Sequence, residues 1–436
     1  MKIQKILIVD GYYGTGFNIP HFAKLLNIKC YHLLTPAVMN SNFNNSQIML
    51  TIDHYLKNVY VKNFKLDSLN IKDIDSLIKK MIPYHFDAII PGTETGVALA
   101  DLIAHKLGLN NCNDYHTSNN RLNKEKMQNA LKEKGLNYIP FTQVLNLNEL
   151  IKWKNKNKFE KIILKPSNAS GSENLYLCSS ELEIEKAYTE FKSYKTFFLK
   201  NGGEMLAEKF IEGDEYVVNT FSVSGLHTVS EIIWYHKIKK HNTIIYQDEV
   251  LIRKLDSQMN QLINYTFKCL DALDIKFGAA HNELIISKDK KIYLVESGAR
   301  MMGNCPYLKS FQRAVGHNSF NWLFDSYLKK PNKCKWIKQP YQTKFNWIRI
   351  IFWSDYDGKV SKILAYKTLK QFQNIKEINF DLLKFNQMHL KYTKSLIDSP
   401  GSCTILDGNL NKLNSTYERV ISYLQEPEKY LWELNK

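Results

Sequence analysis

FGAAHNELIISKDKKIYLVESGARMMG, residues 277–303, holds two apolar runs, 282–287 and 291–296, on either side of the polar pair Asp289-Lys290. A two-residue turn at that pair folds the runs into an antiparallel hairpin that sets Glu283 opposite Glu296 and His281 opposite Gly298. Period-2 alternation then turns His281 and Glu283 to one face. Two carboxylates paired across strands repel by a few tenths to about 1 kcal/mol. A positive group between them removes the conflict, and a hard divalent cation that takes oxygen ligands, Mg2+ carrying phosphates, is the economical choice. The competing reading is a solvated sheet face neutralised by Lys288, Lys290 and Lys291.

The chain has 436 residues, 44% of them hydrophobic, which gives room for a large core and, by length, about three domains. It shows no secretory apolar segment at the N-terminus and no apolar run near about 18 residues, so a soluble, cytoplasmic protein without a membrane partner is expected. The seven cysteines (30, 112, 178, 269, 305, 334, 403) include no CxxC pair and are odd in number. They read as reduced thiols. The net charge of +16 raises a nucleic-acid partner, but only six of the 59 basic residues are arginine (121, 253, 300, 313, 349, 419) and the lysines are dispersed. Solvated surface and no nucleic-acid partner is the expectation. The densest basic run, KIKKH at 237–241, reads as an exposed loop.

Along the chain, the strand 6–10 runs into Gly11, Gly14 and Gly16 and a helical stretch at 18–26, the opening unit of a doubly wound α/β domain. The glycine turn reads as structural, since its spacing is not GxGxxG. A second strand at 86–91 is followed by Glu94 and a helix with apolar positions Val97, Leu99, Ala100, Ile103, Ala104 and Leu107. Glu94 reads first as a dipole partner at that helix start and second as a ligand for a substrate amine. Residues 110–122 are polar and mark a boundary; a helix through Lys124, Met127 and Leu131 ends at Gly135. Strands at 162–166 and 175–178 flank the small-residue loop SNASGS, 167–172. Such a loop lets backbone N–H groups approach an oxyanion unhindered. Strands at 205–210, 215–223 and 228–234 and a helix at 257–273 lead to the hairpin. After a linker at 329–333 come short strands and a helix at 415–424, with no chemistry-bearing cluster.

In this order the features resemble the ATP-grasp superfamily, and within it the carboxylate–amine ligases similar to bacterial L-amino acid ligases that make dipeptides, over roughly residues 1–325. The resemblance implies a mixed α/β and α+β chain: an N-terminal doubly wound, Rossmann-like domain (1–118), an ATP-grasp lid subdomain (119–203), an ATP-grasp C-terminal subdomain with the metal site (204–330) and a β-rich C-terminal extension (335–436). It implies that Lys124 and Lys165 contact nucleotide phosphates and that Ser170, Gly171 and Ser172 lie in the loop closing over them. By the same resemblance the backbone of Glu208, Lys209, Phe210 and Ile211 meets the adenine, and Glu215 holds the ribose hydroxyls. Glu283 and Glu296 would bind Mg2+, with Mn2+ as a substitute, Arg300 would contact the acyl phosphate, and His281 would line the substrate side. The implied reaction is ATP-dependent formation of an amide or peptide bond through an acyl phosphate, joining an amino acid to another amino acid or a small amine. A homodimer stays open. The family's E-x-N-x-R motif is ESGAR here, with Gly298 in place of Asn, and its double glycine is Gly303-Asn304. Gly298 has no side-chain oxygen for a second Mg2+, which keeps open an ATP-binding homologue with altered or lost ligase activity.

Overall fold

Four strands, β1 (Lys5–Val9), β2 (Lys29–Leu34), β3 (Asn63–Lys65) and β4 (Ala88–Pro91), form a parallel sheet in the order β3-β2-β1-β4. The computed structural model describes residues 3–12, 14–36, 58–167, 175–193, 204–240, 243–380 and 389–434. Alternate residues of β1 serve two cores: Ile6 and Ile8 pack with Ile19 and Ala23, while Leu7 and Val9 pack with Leu77 and Ile103. A parallel sheet covered on both faces is the doubly wound arrangement. At the carboxyl end of β1, Asp10 turns to φ 58°. Its carboxylate accepts bonds from the backbone N–H and hydroxyl of Thr35 and from the hydroxyl of Thr95.

The second sheet is antiparallel, β5 (Phe141–Gln143), β8 (Met205–Lys209), β6 (Ile162–Pro166) and β7 (Tyr176–Cys178), ordered β5-β8-β6-β7. The third is the scaffold of the site. It joins β9 (Gly213–Val223), β10 (Leu226–Lys240), β11 (Thr243–Leu251), β12 (Gly278–Ser287), β13 (Ile292–Gly298), β14 (Asn346–Ile351), β16 (Ile375–Phe380) and β18 (Gly401–Asp407) as β13-β12-β9-β10-β11-β14-β18-β16. The C-terminal hundred residues therefore extend this sheet by three strands. A small sheet of β15 (Gly358–Ile363), β17 (His389–Leu390) and β19 (Trp432–Leu434) lies beside them.

The β12–β13 hairpin pairs Glu283 with Glu296 and His281 with Gly298. It does so by a route that differs from a two-residue turn. The loop is 288–290, closed by Ser287 N–H to Lys291 O at 2.9 Å, with Lys290 at φ 65°. A tight two-residue turn needs positive φ at both positions (type I′) or at the first (type II′), which Asp-Lys resists; the longer loop needs it at Lys290 alone. That loop offsets the ladder by one residue, pairing Ile286 with Ile292, and a bulge at Val295 restores it before the glutamates. The two departures cancel.

The parallel sheet is tied to the scaffold through Arg121, fully buried in the boundary stretch. Its guanidinium bonds the Asp101 carboxylate at 2.8 Å on the helix Val97–Lys106 and the Leu273 carbonyl at 3.0 Å after the helix Ser257–Ala272. Breaking a buried pair from one side costs about 3–5 kcal/mol, so this link is stiff.

Candidate active site

One face of the scaffold sheet carries Glu215 on β9, His281 and Glu283 on β12 and Glu296 on β13, at paired or next-but-one positions. Each acidic side chain of the cluster has a basic partner. Lys124 Nζ lies 3.1 Å from Glu296 Oε2, Lys165 Nζ 2.6 Å from Glu208 Oε2, and Lys237 Nζ 2.7 Å from Glu215. His281 Nε2 is 3.3 Å from Glu283 Oε1, and Arg300 Nε is 2.8 Å from Glu94 Oε2. The pairs form one electrostatic unit: Glu296 feels Glu283 and Glu94, while Glu215 feels Glu283 and Lys165.

Burial alone would raise the Glu283 carboxyl. The hydrogen bond and charge of His281, with Lys237 and Lys124, outweigh it and bring the group down to about 2. Glu296 goes the other way, lifted by burial and by the Glu283 and Glu94 charges against the pull of Lys124. Lys237, whose burial favours the neutral amine, is held above its ordinary value by the Glu215 carboxylate.

The local folds that place these groups are simple. Asn123 caps the helix Lys124–Glu133, accepting from Lys126 N–H, so Lys124 opens the first turn. Lys124 N–H also donates to Ser167 O, and Ser167 donates its own N–H and hydroxyl to Glu204 O. This fixes the start of the small-residue loop. Ser170, Gly171 and Ser172 lie outside the described residues. Lys165 is the next-to-last residue of β6 and is itself buried, beside Glu208 on β8. Glu208 Oε1 is buried and has no partner among the described residues, an acceptor that a ligand N–H can satisfy. Lys209 is exposed, with its N–H bonded to Pro140 O, while Phe210 N–H bonds Lys161 O and Ile211 is buried.

Several readings from sequence change. KIKK at 237–240 is not an exposed loop: these residues belong to β10, and Lys237 faces Glu215 over the Tyr246 ring, while His241 lies outside the described residues. A long strand can carry successive lysines to opposite faces, and a charge run alone does not tell which one is turned in. Glu94 opens a short 3-10 turn as a dipole partner would, yet its carboxylate is spent on Arg300 and sits over Gly298. A Cβ built on Gly298 would come within 2.6 Å of Glu94 Oε2, so the Glu94 carboxylate fills the space a side chain at 298 would take. The C-terminal extension contributes one charged side chain to the scaffold, Arg349. Arg349 on β14 pairs with buried Glu249 on β11 at 3.3 Å, and the Cys305 thiol donates to Glu249 Oε2. The glycine turn is structural in a specific way: Thr15 N–H donates to Gly303 O at 2.9 Å, and Gly14, at φ 53°, lies against the same carbonyl.

Among the described residues no group of three or more His, Cys, Asp or Glu converges on one point. Two facing carboxylates fit a hard cation that completes its six oxygens with phosphates and water, and do not fit an all-protein cage. No helix is long and apolar enough to cross a membrane among the described residues.

The model of the ATP-grasp domain matches residues 159–307, which hold Lys165, Glu208, Glu215, both paired glutamates and Arg300. The chain is 26% identical over 328 residues to dapdiamide A synthase of Enterobacter agglomerans, covering 74% of this chain and 73% of that one. In structure it is similar to an L-amino acid ligase from Bacillus licheniformis, with TM-score 0.75 and 18% identity over 100% of both chains. It is also similar to N5-carboxyaminoimidazole synthetase from Staphylococcus aureus in complex with ADP, with TM-score 0.65 and 14% identity over 98% of this chain and 99% of that one. The domain match and the whole-chain superpositions agree that the chain has the ATP-grasp fold, with residues 159–307 matching the ATP-grasp domain itself.

Proposed function

We propose that this protein is an ADP-forming ligase that uses ATP to join the carboxylate of an amino acid to the amine of a second amino acid or a small amine. The observation that supports it is the gathering of Lys124, Lys165, Lys237 and Arg300 around the facing pair Glu283 and Glu296. Phosphoryl transfer is mostly positioning and charge neutralisation, and this is a set of residues for both. The thiol that follows the hairpin and Arg300 in the chain, Cys305, is buried, pushed well above its ordinary pKa by burial and by Glu249, and unsuited to nucleophilic attack. The names of the ligase relatives agree with amide formation.

In this reading Lys124 and Lys165 hold the nucleotide phosphates under the loop with Ser170, Gly171 and Ser172, the backbone at 208–211 meets the base, and Glu215 meets the ribose. Glu283 and Glu296 hold Mg2+, which when bound neutralises phosphate charge; Mn2+ can replace it. A carboxylate oxygen of the donor attacks the γ-phosphorus and ADP leaves. Arg300 then steadies the acyl phosphate with its planar fork, the amine attacks the acyl carbon, and phosphate leaves. His281 faces the substrate side. Exclusion of water by the closed loop protects the acyl phosphate from hydrolysis.

The test is an ADP-release screen over pairs of amino acids and small amines. ADP should accumulate only with both substrates, and the product mass should equal donor plus acceptor minus water. ADP release with donor alone, together with a carboxylated or phosphorylated product, would overturn the ligase reading. Nucleotide binding with no turnover over the whole screen would favour the second reading that Gly298 keeps open, a binding homologue without ligation.

A further inference from the structure

A row of buried polar side chains crosses three strands behind the paired glutamates. Glu231 on β10 is register-paired with Asn219 on β9, and Asn219 with His281 on β12. Their relative exposures are 2%, 4% and 8%. Asn219 Nδ2 donates to Glu231 Oε1 at 2.9 Å and lies 3.4 Å from Met302 Sδ, while Asn219 Oδ1 is 2.8 Å from His281 Nδ1. Glu231 Oε2 has no partner among the described residues.

The direction of this chain follows from which atoms can carry hydrogen. A carboxylate oxygen and a thioether only accept, so both neighbours at one end of the Asn219 amide call for its NH2. Flipping the amide would press its oxygen on two buried acceptors at once, the arrangement that native interiors avoid. If Glu231 takes a proton, the unpartnered Oε2 holds it and Oε1 still accepts. With the NH2 turned to Glu231 and Met302, the amide oxygen faces His281, and His281 Nδ1 must be the N–H. The other nitrogen, Nε2, lies 3.3 Å from Glu283 Oε1, which accepts from it when the ring carries both hydrogens; in the neutral ring the shorter bond to Asn219, 2.8 Å, keeps the single hydrogen on Nδ1.

We infer that Asn219 and Glu231 are positioning residues that fix the hydrogen of His281 on Nδ1, so that Nε2 is the nitrogen presented to the reacting groups. The role of Nε2 in catalysis rests on the ligase reading; the tautomer does not. The hydrogen stays on Nδ1 whether the ring is neutral or charged.

Histidines labelled with 15N in the ring test this directly. The chain has 12 of them, and the His281 pair of signals is the one missing in the His281→Gln variant. At a pH where the ring is neutral, the expected spectrum has Nδ1 with a directly bonded hydrogen and Nε2 without one; the reverse pattern overturns the inference. In Asn219→Leu, which keeps the bulk and removes the acceptor, a population with hydrogen on Nε2 should appear, and kcat should fall by about tenfold or more while the KM for ATP stays within about twofold. Glu231→Gln still offers a carbonyl to Asn219 and should keep the wild-type tautomer and most of the rate. An unchanged tautomer and rate in Asn219→Leu would also sink the idea, and if that variant does not fold, the wild-type spectrum decides. Failure of the ligase reading would show as absence of product with the Nδ1 hydrogen still in place.

Discussion

Glu296 lies between two demands, with Lys124 at 3.1 Å and Glu283 across the hairpin. Replacing it by Gln keeps the size and removes a charge. ADP formation in Glu296→Gln should fall by on the order of 100-fold or more, the scale of losing a metal-holding charge, while the thermal midpoint stays near wild type; normal turnover would exclude the metal role. Gly298 is a second test at this scale. The Asn of the family motif, restored by Gly298→Asn, would put its Cβ 2.6 Å from Glu94 Oε2 and push Glu94 off Arg300. A fall in kcat/KM of about tenfold or more is expected, as for a small misplacement of catalytic groups; unchanged kinetics would mean that Glu94 moves freely. Glu231 gives a test in stability. Burial raises it from the ordinary 4.5 to about 7, so between those values the folded chain binds the extra proton. Its contribution is present below about pH 4.5 and lost as pH rises through about 7, on the order of 3 kcal/mol in all. Stability of the wild type measured against Glu231→Gln should fall across that window, and parallel curves would refute the assignment.

At the scale of elements, β12 and β13 show what was legible. The apolar runs were enough to place the hairpin, while the pairing of Glu283 with Glu296 came out as expected because the longer loop and the bulge at Val295 offset each other. The loop and the bulge were not legible, since each depends on the φ of single residues, Lys290 above all. Lys165 and the strands around it were visible as an apolar run carrying a lysine before Pro166. Lys237, Glu94 and Arg349 were harder to place because their partners lie 22, 206 and 100 residues away. No local pattern carries such contacts. Lys290 offers the test here: a residue with a Cβ at φ 65° is strained, and Lys290→Gly should stabilise the chain by about 0.5–1 kcal/mol in urea unfolding. Destabilisation would show that Lys290 does not hold that conformation.

Across the whole molecule, the eight-stranded sheet makes the C-terminal extension part of the catalytic scaffold. Arg349 reaches from β14 to Glu249, which also accepts from Cys305 in the segment following Arg300. Arg349→Ala would strand a carboxylate that is 2% exposed, at about 3–5 kcal/mol by the behaviour of broken buried pairs. A Tm change within error would place Arg349 outside the scaffold. The same inward-paired design bears on how the protein lets go of what it has made. Lys124, Lys165, Lys237 and Arg300 each have a glutamate within reach, so under the proposed nucleotide-binding role a phosphate that enters would displace a carboxylate, and one that departs would be replaced by it. Held at high effective concentration by the fold, those carboxylates are tethered competitors for the spent nucleotide. On that reading they would weaken the hold on ADP and hasten its ejection, giving up affinity in return for throughput.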